Sequence, residues 1–262
     1  MERFAKLFLR VVPLGWIRTA IDVCDALGKL AILVGIVTWL WEIPDRADQR
    51  HSAAWALLNS AQGKAGNGGR TTALESLNGD GVSLAGLDLS NAYLPGIDLR
   101  YANLSKTTFR NSDLTHARFG CGALSRLLRR GNCTYFSGAS FSDAELSNVD
   151  FRRAYLDNVT FTGRRINRFT DFSGALITDS RFEDMEFFDA EFSGASIYRT
   201  RFAKVEFEFE TIYEDLFDGA DLRDVDFSDT NIERRLLAKA TLCRVQLHEG
   251  SPIDQNCPEK KK

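Results

Sequence analysis

The sequence predicts a mainly β chain, a solenoid preceded by an N-terminal helical membrane anchor. Three observations carry that expectation. From about residue 82 to residue 247 a bulky apolar residue returns at every fifth position, usually with a small or aliphatic residue two places before it. That period fits neither a 3.6-residue helix nor a long strand alternating in twos, so the chain must turn a corner every few residues. Residues 1–80 lack the period and contain instead an uncharged, strongly apolar run.

In chain order, 1–44 is expected to hold an amphipathic segment and a transmembrane helix. Phe4, Leu7, Phe8, Val11 and Val12 mix with Arg3, Lys6 and Arg10, which suits an interfacial helix. Leu30–Trp41 is apolar throughout and, extended to about 26–43, approaches the roughly 20 residues that span a bilayer. Lys29 would snorkel, Trp39 and Trp41 suit the opposite interface, and Pro44 would stop the helix. A buried or interfacial helix is the alternative. Arg3, Lys6, Arg10, Arg18 and Lys29 outnumber Arg46 and Arg50, which favours a cytoplasmic N-terminus and an exported solenoid. The cysteines are odd in number and show no disulfide framework; Cys121 and Cys133 flank one loop and would pair only in an oxidising compartment. The side of the membrane therefore stays open, within a single-pass placement in a bacterial inner membrane.

Residues 45–80 read as a helical and glycine-rich linker ending in a cap. Ala53, Ala54, Trp55, Leu57 and Leu58 suggest a short helix. Gly63–Arg70 lacks both the Gly-Lys-Ser/Thr ending and the leading strand of a phosphate loop, so a flexible loop is expected. Thr72 with Glu75 resembles a capping box, and Leu74 and Leu77 would cover the open end of the first coil. The solenoid then occupies 81–248, and the polar 249–262 is expected to be a disordered tail.

Each unit, such as Leu87-Asp88-Leu89-Ser90-Asn91, places two apolar residues on one face of a short extended segment and follows them with turn formers. One unit buries too little to fold alone, but stacked coils bury a continuous column. The expected core includes Leu89, Leu94, Leu99, Leu104, Phe141, Phe151, Phe182, Phe187, Phe192, Phe202 and Phe227. These units, together with Ala139-Ser140-Phe141-Ser142-Asp143, Ala220-Asp221-Leu222-Arg223-Asp224 and Val225-Asp226-Phe227-Ser228-Asp229, resemble the pentapeptide-repeat family over about two thirds of the chain. The resemblance implies a right-handed quadrilateral β-helix, four units to a coil, about eight coils at about 4.8 Å each. It would stack Phe172, Phe192, Ile212 and Ile232 in one column, and Phe187, Phe207, Phe227 and Leu247 in another.

The phase slips twice. Two extra residues fall between Leu124 and Phe136, around a basic loop with Arg126, Arg129 and Arg130. One falls between Ile166 and Phe172, near Arg164, Arg165 and Arg168, with Ile166 taken as a centre. Glu210 and Asp215 land on inward slots, where unpaired carboxylates are costly, so a bulge is expected there.

The net charge of −3 hides an asymmetry, with Arg and Lys prevailing before residue 170 and Asp and Glu after it. Candidate interaction residues are Arg126, Arg129, Arg130, Arg164, Arg165, Glu183, Glu186, Glu191, Asp224, Asp226 and Asp229. With only His51, His116 and His248, and no Cys-x-x-Cys, Gly-x-Ser-x-Gly or His-Glu-x-x-His, neither a catalytic nor a metal site is marked out, and no cofactor is expected. The expected function is a non-catalytic, membrane-anchored module that binds or scaffolds an unidentified protein partner through charged outer faces. Membrane lipid would be held through the N-terminal helix. A homo-oligomer is compatible with this, and direct nucleic-acid binding is not expected. The alternative is a DNA-mimicking regulator of a topoisomerase or other DNA-binding enzyme, through the acidic 171–233 region; some members of the resembled family act in that way.

Overall fold

The computed structural model of the chain describes residues 14–61, 64–121, 133–163, 166–210, 216–248 and 250–257. The chain divides into two compact units, Met1–Ala53 and Ala54–Lys262. Helix α1 (Leu14–Ala61) accounts for the described part of the first. Pro44 lies within this helix and does not end it. Its ring removes one N–H donor, a local loss in a 48-residue helix. Every side chain from Leu27 to Trp39 is exposed. Among the described residues no helix is long and apolar enough to cross a membrane, so the span expected over about 26–43, and the inner-membrane placement built on it, are not supported. The physical shortfall is length: the uncharged apolar run Leu30–Trp41, bounded by Lys29 and Glu42, is shorter than the roughly 20 residues a bilayer core demands. The amphipathic segment read over residues 3–12 lies outside the described residues.

In the second unit the last turns of α1 place Ala54, Trp55, Leu57 and Leu58 against the solenoid core, so the short helix expected there is the end of the long one. The glycine-rich loop that follows is organised by Arg70. That side chain is 1 % accessible, and its guanidinium donates to the carbonyls of Ala61, Lys64, Gly66 and Asn67. Burial lowers its pKa from the ordinary value. Helix α2 (Arg70–Gly79) starts after Gly69 without a side-chain cap. Glu75 does not close a capping box; its carboxylate accepts the Asp98 N–H at 2.9 Å, while Asn78 donates to the Arg100 carbonyl. The buried Leu74 and Leu77 lie in the same core cluster as Leu84, and α2 thereby closes the first coil.

The strands are β1 (Tyr135–Ser137), β2 (Ser140–Ser142), β3 (Tyr155–Asp157), β4 (Thr160–Thr162), β5 (Ile166–Arg168), β6 (Leu176–Thr178), β7 (Arg181–Phe188), β8 (Ser196–Tyr198), β9 (Arg201–Glu208), β10 (Asp221–Arg223), β11 (Asp226–Thr230), β12 (Thr241–Val245) and β13 (Ile253–Gln255), with a 3-10 turn over Arg234–Leu237. One sheet runs β1-β3-β6-β8-β10-β12-β13 and another β11-β9-β7-β4-β2, with β5 on β7. Before residue 135 the same ladder continues as parallel bridges, Asp88 to Thr108 and Asn103 to Tyr135 among them. This is a parallel β-solenoid with four inward centres per coil. Leu84, Leu104, Phe136, Leu156, Ile177, Ile197, Leu222 and Leu242 stack beneath the first wall. Leu89, Phe109, Phe141, Phe161, Phe182, Phe202 and Phe227 stack beneath the second. The third has Leu94, Leu114, Leu146, Asn167, Phe187 and Phe207. The fourth has Leu99, Phe119, Phe151, Phe172, Phe192 and Phe217.

The interior is filled by phenyl rings. Along the second column Phe109, Phe141, Phe161, Phe182 and Phe202 stack nearly parallel, with centroids 4.6–4.9 Å apart. Rings of the fourth column meet them edge-on, as Phe151 does Phe161 at 89°. Each buried Phe contributes about 1.5–3 kcal/mol, and each ring pair about 0.5–1.5 kcal/mol more. Where the small inward slot holds a hydroxyl, a nearby carbonyl accepts its proton: Thr170 bonds Leu146 O, Ser180 bonds Leu156 O and Ser112 bonds Phe109 O.

At the second slip Asn167 takes the inward slot in place of the expected Ile166, and its amide oxygen accepts the Leu146 N–H at 3.1 Å. Past Phe207 the predicted columns fail. Phe192 stacks on Phe217 at 5.3 Å, and Phe202, not Phe207, stacks on Phe227 at 4.7 Å. One whole unit has been inserted between β9 and residue 216, which keeps the five-residue phase but shifts the twenty-residue stack. Glu210 is exposed there and its N–H bonds Asp189; Ile212 and Asp215 lie outside the described residues. Asn231 replaces the missing strand, its amide bonding both N–H and C=O of Phe207 at 2.8 Å.

Two disulfides form; the first joins the pair expected only in an oxidising compartment, and the second was not anticipated. Cys121–Cys133 closes the first insertion, and Cys243–Cys257 ties the C-terminal segment to the last coil. The fifth cysteine, Cys24, which makes the count odd, lies in α1. The segment read as a disordered tail contains β13, which pairs antiparallel with β12 and covers the last coil's edge.

Candidate interaction surface on the outer walls

Outward positions carry the polar residues, and many of them serve the fold. The acceptor before a centre receives the N–H two residues on, as Asp88 does from Ser90, Asp113 from Thr115, Asp171 from Ser173 and Asp226 from Ser228. This explains why the repeat favours Asp and Asn there. Next come ion pairs, some within a turn and some between coils. Asp98 binds Arg100 and Arg118, each at 2.7 Å. Asp150 holds Arg152 at 2.9 Å. A Cβ on Gly120 would overlap the Asp150 carboxylate, which would have to shift to admit it. Asp179 takes Arg199 through both oxygens, and Asp224 takes Arg244 likewise.

These partners set the titration of the carboxylates. Burial pulls Asp98 upward, but hydrogen bonds from Arg100 and the charges of Arg100 and Arg118 outweigh it and hold the group below the ordinary carboxylate range. Hydrogen bonds from Arg199 and from Arg223 lower Asp179 and Asp221. Asp171 moves the other way. Burial raises it, the bonds from Ser173 oppose, and Glu191 in the adjacent coil raises it further.

The candidate interaction residues separate accordingly. Glu183 is paired with Arg181 at 2.9 Å, Asp224 with Arg244, and Asp226 contacts Arg201 at 3.5 Å. Glu191 accepts from Ser193. Arg126, Arg129, Arg130, Arg164 and Arg165 lie outside the described residues. The core candidates Leu89, Leu94, Leu99, Leu104, Phe141, Phe151, Phe182, Phe187, Phe192, Phe202 and Phe227 are all buried.

Glu186 and Asp229 are brought together. They line a groove of about 590 Å³ along the edge between the second and third walls, with Asp184, Glu206, Lys204 and His248. Its floor includes the buried Met185 and Val205. Glu186 and Glu206 sit in register on adjacent coils, and neither forms an ion pair with a described residue. Like charges in register are unfavourable for a ladder. The adjacency of Glu186 and Glu206 was legible in their twenty-residue spacing; that of Asp229 was not, because of the inserted unit. His248, which bonds Ser228 O at 3.0 Å, and Lys204 were not anticipated in the site. Among the described residues no group of His, Cys, Asp or Glu is placed to hold a metal ion.

Residues 80–120 and 134–163 match the family model described as pentapeptide repeats, in eight copies. No curated protein matches the chain. Among solved structures, HetL of Nostoc sp. strain PCC 7120, described as a pentapeptide repeat protein involved in heterocyst differentiation regulation, is 18 % identical. It covers 63 % of this chain and 81 % of its own, with a TM-score of 0.30. QnrB1, a plasmid-mediated fluoroquinolone resistance protein, is 19 % identical over 63 % of this chain and 91 % of its own, with a TM-score of 0.25. A pentapeptide repeat protein of the Arabidopsis thaliana thylakoid lumen is 19 % identical over 47 % and 66 %, with a TM-score of 0.18. At these identities and scores the similarity carries nothing about partners.

Proposed function

The chain belongs to the pentapeptide-repeat family, and from that premise we propose that it is a non-catalytic interaction module that engages a protein partner through its charged outer walls. The observation that supports this is the contrast in pairing. Most described carboxylates on the other walls are matched to an arginine or to the next turn, whereas Glu186 and Glu206 stand in register at the groove. An arrangement that costs folding energy is explained by use. The test is a photo-crosslinking side chain placed at Glu206 or, on the second wall, at Ser140, in cells producing the full chain. A discrete crosslinked protein from position 206 and not from 140 supports the proposal; equal labelling from both, or none, opposes it.

The proposal extends to attachment. The exposed apolar stretch Leu27–Trp39 faces outward all round, which suits a lipid phase better than a one-sided protein contact. The two disulfides favour an oxidising compartment for the second unit. Fractionation of the full chain that leaves it wholly in the soluble pool would remove this part of the proposal.

A further inference from the structure

The third wall bears a second anomaly beside its acids. Phe169 occupies a coil corner at φ 53° and is 50 % accessible. Asn, Asp, Arg, Lys, His and Tyr fill the other non-glycine left-handed positions among the described residues, and Phe169 is the one wholly apolar side chain there. A bulky residue in that conformation is strained, and here the strain secures no burial. Its N–H bonds the Phe188 carbonyl at 2.9 Å, and the half-buried Phe188 ring lies under the Arg168 guanidinium at 4.6 Å. On the next coil Glu208 is in register with Phe188, alongside the Glu186–Glu206 row. Glu206 and Glu208 are exposed. Two aromatic rings thus lie next to carboxylates without a described cationic partner.

We propose that this wall docks a cationic amphipathic protein segment, its lysines or arginines meeting Glu186, Glu206 and Glu208 and an apolar side chain meeting Phe169 and Phe188. This names the partner's chemistry and rests on reading the chain as an interaction module. Charge complementarity selects the occupant: the carboxylate row repels nucleic-acid phosphates and anionic lipid headgroups alike. The exposed aromatics supply the anchor that a purely electrostatic contact lacks.

The test uses the full chain and three labelled twelve-residue peptides, alternating lysine–leucine, lysine–serine and glutamate–leucine. The lysine–leucine peptide should bind in preference to both others. Glu206→Lys should weaken it by about tenfold or more. Phe169→Asn should weaken it by about tenfold too. It should also leave Tm unchanged or higher, since asparagine tolerates the left-handed corner. A fall in Tm with binding intact would assign Phe169 to the fold and overturn the proposal. Equal binding of the lysine–serine peptide would overturn the apolar anchor. No selectivity among the peptides, together with a discrete crosslink from position 206, would reject this partner chemistry while leaving the interaction module standing.

Discussion

Asp171 and Asp98 occupy equivalent outward positions on one wall and titrate in opposite directions, because burial, reinforced by Glu191 across the coil, raises the first, whereas two arginines outweigh burial at the second. With its folded pKa raised, Asp171 favours the fold when protonated. That contribution is complete below the unfolded value of about 3.9 and is lost as pH rises through the folded value. Asp98, lowered, contributes above its unfolded value and loses that contribution as pH falls through the folded one. Asp171→Asn retains the acceptor for Ser173 and removes the charge opposite Glu191. The variant is expected to melt above the parent at pH 7 and to converge with it near pH 4 in thermal scans. A variant less stable than the parent at pH 7 would mean that the pairing of Asp171 with Arg152 at 3.5 Å outweighs burial. At this scale the inward residues were legible from the period alone. Asn167 was not, because an amide acting as a strand acceptor leaves no apolar signal.

The elements show why the period is an incomplete guide. Insertions of two residues and of one change the five-residue phase and are visible in the sequence. An insertion of five does not change it, and the register of Phe217 and Phe227 emerges only from ring stacking. Helix α1 passing Pro44 and strand β13 were hidden for a related reason: each violates a local preference that longer-range structure overrides. The disulfide Cys243–Cys257 holds β13 over the edge of β12, with Gln255 donating to the carbonyls of Ala238 and Ala240. Replacing both cysteines with serine is expected to cost about 3 kcal/mol, from the chain entropy of a loop of this size. The loss should be local: amide exchange should accelerate in Thr241–Val245 and stay slow in Tyr155–Asp157, deep in the same sheet. Uniform acceleration along the solenoid would show that the cover stabilises the whole stack and not only its end.

At the scale of the whole molecule, composition misjudged the charge. Acids prevail after residue 170, and such an excess suggests imitation of a DNA duplex. Arginines one coil away, twenty residues off in sequence, bind Asp179 and Asp224, and Asp221 is bound by Arg223 within its own turn. A duplex presents about one uncompensated negative charge per 1.7 Å of axis, whereas ion pairs neutralise several of the carboxylates on these walls. The acidic row at the groove and the third wall, Glu186, Glu206 and Glu208, is too short a run to replace a length of duplex. The purified chain at micromolar concentration is therefore expected to leave gyrase supercoiling unchanged, in low salt as well as high. Low salt is the demanding condition, because screening is weakest there and any duplex-like field would act most strongly. Inhibition that appears at low salt and disappears in Glu186→Lys/Glu206→Lys would show that these carboxylates suffice to engage the enzyme, and the DNA-mimic function would then replace the one proposed above.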